Sequence, residues 1–287
     1  MPELAEVELA RRLWEPAVGD TITAVDCHPK TRVFRDCPAA TLRKLLPGTQ
    51  LIATRAHGKR LLFTFSSATE HFLHLELHLG MAGRLYTAPP DHLAEKHDHF
   101  LLRTPNHTFA YNDYRQFGGV KLHREADPWA ALPPQVLDRK FSLAYLTALL
   151  DRRPRVALKA LLLDQSAFPG VGNWMADEIC WRLNAHPSTP VGRLDPADLR
   201  KSSQFVCRGA IRHVADKNFA LSSTRTEAFA PGSYVHLVPP PSWLFQHRWK
   251  PGGSCPRCNK SLARATIAGR TTAWCPICQT IHGNSGT

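Results

Sequence analysis

The sequence predicts an α+β protein with an N-terminal β-sandwich, a helical second half and a C-terminal hairpin held by four cysteines. Three observations carry that prediction. Residues 71–79 alternate strictly, with Leu73, Leu75, Leu77 and Leu79 on one face and His74, Glu76 and His78 on the other. Period-two alternation marks a strand with one buried face, as in one layer of a sandwich. Beyond a stretch rich in Pro, Ala and Asp at 126–138 the pattern turns helical, and near the end Cys255-Pro256-Arg257-Cys258 and Cys275-Pro276-Ile277-Cys278 repeat a C-x-x-C spacing.

Each element has its own signal. A first helix is expected at about 5–15, because Val7, Ala10, Arg11 and Trp14 recur at helical spacing. Further strands are expected at 60–65 (Arg-Leu-Leu-Phe-Thr-Phe) and 107–111. The second half predicts a helix over 141–150, then one with Pro154 at its first position, ending near Asp164. A turn through Pro169-Gly170-Val171-Gly172 leads to a helix from 173 to about 184. Residues 196–219 give a longer helix with Leu199, Val206, Ala210 and Val214 on one side. Residues 220–250 have no clear period and carry Pro239-Pro240-Pro241.

Composition narrows the class of partner. A chain of 287 residues is long enough for a real core and most naturally two domains. Its 43% hydrophobic and 21% charged residues are ordinary for a globular protein, and no apolar run approaches the ~20 residues of a membrane span. The acidic amino terminus lacks the order of a secretory signal, so the protein is expected in the compartment where it is made. A net charge of +12 favours a polyanion, nucleic acid being the commonest. Cys27, Cys37, Cys180 and Cys207 are scattered and read as reduced, buried small hydrophobes.

Several constellations carry chemistry. Cys255, Cys258, Cys275 and Cys278 offer four soft thiolates, a donor set that suits one tetrahedral structural zinc closing a small β-hairpin. Arg264 and Arg270 in that hairpin offer planar donors for phosphate. Gly170 and Gly172 let backbone approach a ligand, and the following helix start favours an anion. Lys59 follows Gly58 beside the 60–65 strand, where it can reach a phosphate, and Met81 lies on the loop after the long strand. Asp113-Tyr114-Arg115-Gln116-Phe117-Gly118 places a planar cation beside an aromatic ring. Apolar wedges beside arginine suit the hole left when a base is extruded, although Met81 and Phe117 taken singly also fit a core. His97-Asp98-His99 lacks further ligands and reads as a hydrogen-bonding element. Finally, Pro2 stands behind Met1 and before Glu3 and Glu6. With Met1 removed it is a secondary amine titrating near pH ~8, a nucleophile at neutral pH. The same octet also reads as a plain helix start.

These pieces occur in the order seen in the formamidopyrimidine-DNA glycosylase/endonuclease VIII family, and the sequence resembles its Fpg branch over almost the whole chain. The resemblance runs through Pro2-Glu3-Leu4 with Glu6-Val7-Glu8, Gly58-Lys59, His78-Leu79-Gly80-Met81, Lys96-His97-Asp98-His99, Asp113 to Gly118, and Leu163-Asp164-Gln165. It continues through Gly170-Val171-Gly172-Asn173, Ala176-Asp177-Glu178, His186-Pro187 and the cysteine hairpin. It implies a β-sandwich catalytic domain at 1–130, a helix-two-turn-helix domain at 131–245 and a zinc finger at 246–287, with damaged duplex DNA as partner. It implies Pro2, Glu3, Glu6, Lys59 and Arg270 as the catalytic set. Pro2 would attack C1′, Glu3 would act as general acid/base with Glu6 in support, and elimination on both sides would cut the strand. Lys59, Asn173 and Arg270 would bind phosphates, while Met81, Arg115 and Phe117 would fill the gap. A monomer in the cytoplasm, associated with the nucleoid, is expected.

Three departures stand out. Ala5 replaces the family's usual proline, and Gln116 replaces a basic residue often found beside the wedge arginine, a small loss of backbone attraction. The stretch from Phe219 to Lys250, with Trp243, Phe245 and Trp249, lacks the family's Gly-Tyr-Phe and Tyr-Gly-Arg signatures over an everted 8-oxoguanine. Two further readings therefore stay open: an enzyme with another lesion preference, and a catalytically silent lesion binder.

Overall fold

Helix α1 (Leu4–Trp14) starts at Glu3 through a reciprocal capping box. The Glu3 side chain accepts the Glu6 backbone N–H, and Glu6 Oε2 accepts the Glu3 N–H at 3.1 Å. Its apolar face packs into a sandwich of two four-stranded antiparallel sheets. One has the order β1 (Ala24–Cys27), β6 (Asp98–Arg103), β7 (Thr108–Asn112), β5 (Arg84–Ala88), and the other β2 (Gln50–His57), β3 (Arg60–Ser66), β4 (Phe72–His78), β8 (Gly119–His123). One core lies between them. Trp14 meets Phe63 of one sheet at 4.8 Å between ring centroids and Phe100 of the other at 6.4 Å, with Leu73, Leu75 and Leu77 buried alongside.

The computed structural model describes residues 2–66, 72–124, 126–216, 238–249 and 251–280. These residues fall into two units, 2–132 with 215–216, and 133–214 with 238–280. The second contains α3 (Leu143–Arg152), capped by Ser142 Oγ accepting the Tyr145 N–H at 3.1 Å, and α4 (Leu158–Leu163). It continues with α5 (Asn173–Arg182) and α6 (Pro196–Ala210), which Asp195 caps and a wider turn extends from Ile211. It ends in a hairpin of β9 (Ala263–Ile267) and β10 (Arg270–Trp274).

One expectation is corrected. Pro154 does not open α4: Ala157 is the N-cap, because it forms a bridge with Pro190 while the Pro154 carbonyl accepts the Gly192 N–H at 2.9 Å. Tertiary pairing thus holds 154–157 out of the helix. The second face of β4 is polar, as expected, and its polar groups are paired. His74 is buried against Thr64 at 3.0 Å, and Glu76 accepts the Trp129 indole N–H at 2.8 Å. His71, residues 217–219 of the longest expected helix and the lesion-covering stretch up to 237 lie outside the described residues. Among the described residues no helix is long and apolar enough to cross a membrane.

Candidate DNA-repair site

In the N-terminal unit the sequence-expected residues sit in three places. Pro2 is half-buried just before α1, and Glu3 beside it is only 3% exposed, its carboxyl engaged in the capping box. That arrangement fixes the Glu3 carboxyl at the start of α1, next in sequence to Pro2. Lys59 occupies the two-residue turn between β2 and β3, where His57 pairs with Arg60. Gly58 takes φ +60° at the first turn position, a conformation that matches the twist of the flanking strands and favours glycine. The turn therefore holds Lys59 in one place.

The third place brings Met81, Arg115 and Phe117 together. Met81 is 43% exposed and Phe117 50%, with the Arg115 guanidinium 4.9 Å from the Phe117 ring centroid. Gly80 (φ +60°) abuts the other loop so closely that a Cβ would lie 2.4 Å from the Phe117 carbonyl carbon. Buried Asp113 shapes the aromatic loop: its Oδ2 accepts the Gly118 N–H at 2.8 Å and Oδ1 the Arg115 N–H at 3.2 Å. His99 lies 2.9 Å from the Asp113 carbonyl through Nε2, and Asp98 accepts from Tyr86 and Asn112. The His97-Asp98-His99 stretch is thus a hydrogen-bonding element, as expected. Burial and the Tyr86 hydrogen bond act on Asp98 in opposite directions, and the hydrogen bonds hold its carboxyl below the usual range.

In the C-terminal unit Asn173 opens α5 and donates from Nδ2 to the Thr271 carbonyl at 2.9 Å, which ties it to the strand that Arg270 begins. Beneath them lies a charge network that sequence reasoning did not assign. Asp177 Oδ1 is paired with Lys159 Nζ, while Oδ2 accepts from Arg248 Nε at 2.8 Å, Arg248 Nη2 at 2.5 Å and the Ala273 N–H at 3.2 Å. The Lys159 and Asp177 side chains are 0% exposed, and Lys159 also donates to the Asn173 carbonyl at 2.8 Å. Lys159 inside the apolar run Leu158-Lys159-Ala160-Leu161-Leu162-Leu163 was the available signal, since lysine there needs a buried partner. Glu178, next on α5, pairs with Arg182 at 2.8 Å, and burial pushes its carboxyl up to about 7.

The four hairpin cysteines place one sulfur each within 4.8 Å of one another, which can hold a metal ion. A tetrahedral ion with ~2.3 Å metal–sulfur bonds needs sulfurs about 3.8 Å apart. Cys255 Sγ accepts the Trp181 indole N–H and the Arg257 N–H, each at 3.4 Å. Cys275 Sγ accepts the Cys278 N–H at 3.4 Å. Such donors stabilise thiolate, so the sulfur set fits the ion. Cys27, Cys37, Cys180 and Cys207 are buried and unbridged, and burial pushes the Cys27 thiol up to about 12.

A sandwich with an exposed apolar–arginine cluster, in a chain that also carries a glycine-capped helix and a four-sulfur hairpin, suits the class of base-excision DNA glycosylases, and comparison with known proteins places it there. The N-terminal domain model of formamidopyrimidine-DNA glycosylase matches residues 1–120, and the H2TH domain model of the same enzyme matches 132–217. A formamidopyrimidine-DNA glycosylase of Exiguobacterium sibiricum is 32% identical over 98% of this chain and 99% of its own. A mutant of Lactococcus lactis Fpg bound to Fapy-dG-containing DNA has a similar structure, with a TM-score of 0.80 at 27% identity over 97% of this chain and 99% of that one. The same enzyme bound to abasic-site DNA gives 0.80 at 26% identity, covering 96% and 99%. The chain belongs to the formamidopyrimidine-DNA glycosylase family.

Proposed function

We propose that this protein removes damaged bases from duplex DNA and cuts the strand at the resulting abasic sugar, with the Pro2 amine as nucleophile. The observation that best supports this is a proline placed directly before a buried, capping-box carboxyl, in a chain aligned end to end with glycosylases of this family. With Met1 removed, the Pro2 nitrogen forms a bond to C1′ of the flipped nucleotide. The glycosidic bond breaks, the base leaves with a proton, and the sugar ring opens to an iminium joined to Pro2. Glu3 moves the protons as general acid/base, with Glu6 holding its backbone. The iminium acidifies C2′–H, so loss of that proton expels the 3′ phosphate and a second elimination expels the 5′ phosphate.

Lys59, Asn173 and Arg270 receive phosphates, and Met81, Arg115 and Phe117 occupy the vacated stack with Arg115 toward the orphaned base. One zinc, held by Cys255, Cys258, Cys275 and Cys278, orders the hairpin that carries Arg270. The labour divides into catalysis by 1–130, DNA grip by 131–245 and the finger at 246–287, in a monomer working in the cytoplasm on nucleoid DNA. The test is a panel of duplexes with different damaged and opposing bases, read for base release and strand cutting. Both events on at least one damaged base are expected; binding with neither contradicts the proposal and favours a silent lesion binder.

A further inference from the structure

The segment between β1 and α2 (Ala39–Leu45) carries three exposed cations, Lys30, Arg32 and Arg35. It is fastened to the wedge loop. Gln116 Oε1 accepts the Arg32 N–H at 3.0 Å and the Thr31 hydroxyl at 3.5 Å, and the Val33 carbonyl accepts the Val120 N–H at 2.9 Å. Val33 and Cys37 anchor the segment in the sandwich core. To make its contact Gln116 takes φ +54°, a left-handed conformation that a non-glycine residue keeps only when its surroundings hold it there. The residue that seemed a mere loss of a cation is thus a tie between two loops.

Arg35 of this segment also joins a charged rim. A Cβ on Gly119 would lie 3.3 Å from Arg35 Nη2, and Gly119 pairs with His78, whose other neighbour in the sheet is Arg60. Burial first, then Arg60, Lys59 and Arg35, keep the His78 imidazole below its ordinary range, so these cations act on one spot. Arg35 lies 3.6 Å from the Asp36 carboxylate and Arg60 3.7 Å from that of Glu76. A solvated loop needs no such tie.

We propose that Lys30, Arg32 and Arg35 form a phosphate-binding ridge for duplex DNA, and that Gln116 sets this ridge in register with the wedge of Met81, Arg115 and Phe117. The ligand is the DNA backbone, which the ridge contacts without reading sequence. The proposal rests on the protein acting on DNA and deepens that reading.

The test measures binding of the full-length protein to a duplex containing a tetrahydrofuran abasic analogue across a salt series. Each lost phosphate contact lowers the salt slope by ~0.9, so the triple variant Lys30→Gln, Arg32→Gln, Arg35→Gln is expected to lose about 2.7 from it. Gln116→Ala keeps every charge and is expected to weaken binding several-fold. These are surface changes, and unaltered thermal unfolding confirms that the variants fold. An unchanged slope in the triple variant overturns the ridge, and unchanged affinity in Gln116→Ala overturns the tie. Failure of the function reading shows separately, as absence of base release by the wild type on the lesion panel.

Discussion

Asp177→Asn removes the carboxylate that two buried cations share while changing almost no volume. The Lys159 and Asp177 side chains are fully buried and that of Arg248 is 3% exposed, so water cannot replace the lost charge. Asparagine offers one oxygen where Asp177 now accepts from Lys159, twice from Arg248 and from the Ala273 N–H. Its amide hydrogens must then face one of the cations. Breaking a buried pair in this way costs about 3–5 kcal/mol. At roughly 2–4 °C per kcal/mol for a domain of this size, the C-terminal unit should melt about 6–20 °C lower. Calorimetry on the full-length protein reads this directly. The triple change Lys159→Met, Asp177→Leu, Arg248→Met should recover most of the loss, because it leaves no charge behind. Because Lys159 also holds the Asn173 carbonyl, Asp177→Asn should weaken binding to abasic duplex as well. A melting point within ~2 °C of wild type would refute the reasoning, since that is below the shift expected from a single kcal/mol.

Two further outcomes follow from the same unit. Glu178 has a folded-state value raised to about 7 from 4.5, so the folded state holds its proton more tightly. Its contribution to stability therefore falls as pH rises from ~4.5 to 7, by about 3 kcal/mol, and is constant above that range. Glu178→Gln should gain that amount relative to wild type across the window in denaturant titrations, and an equal difference at both ends would contradict the assignment. The purified protein should contain one zinc per chain by elemental analysis; Cys258→Ser should lose it together with affinity for abasic duplex, and full affinity without metal would remove zinc from the account.

Much of the first unit was legible because its signals are local. Leu73, Leu75, Leu77 and Leu79 announce β4, and Val7, Ala10 and Trp14 announce α1, through periods that burial of one face imposes. The cysteine spacing likewise brings four sulfurs together, since each C-x-x-C pair is close by construction. What escaped depends on long-range pairing. Lys159 and Asp177 are 18 residues apart and Asp177 and Arg248 are 71 apart, so no local pattern links them. The polar face of β4 was legible, but its partners Trp129 and Thr64 come from elsewhere in the chain. Pro154 carried the signature of a helix start, and its neighbour Ala157 was taken by the bridge to Pro190. Gln116 read as a missing charge because its tie to Thr31 and Arg32 spans more than eighty residues of chain.

The central claim is that the amine of Pro2 forms the covalent link to DNA. Borohydride reduction of a mixture with an abasic-site duplex, followed by peptide mapping of the adduct, tests it most directly. With Met1 confirmed absent, the account predicts one reduced adduct on the N-terminal peptide at Pro2. That adduct should be lost in Pro2→Gly, while the variant still binds a tetrahydrofuran duplex. No adduct from the processed protein, undiminished trapping by Pro2→Gly, or a link mapped to a lysine such as Lys59, would contradict it.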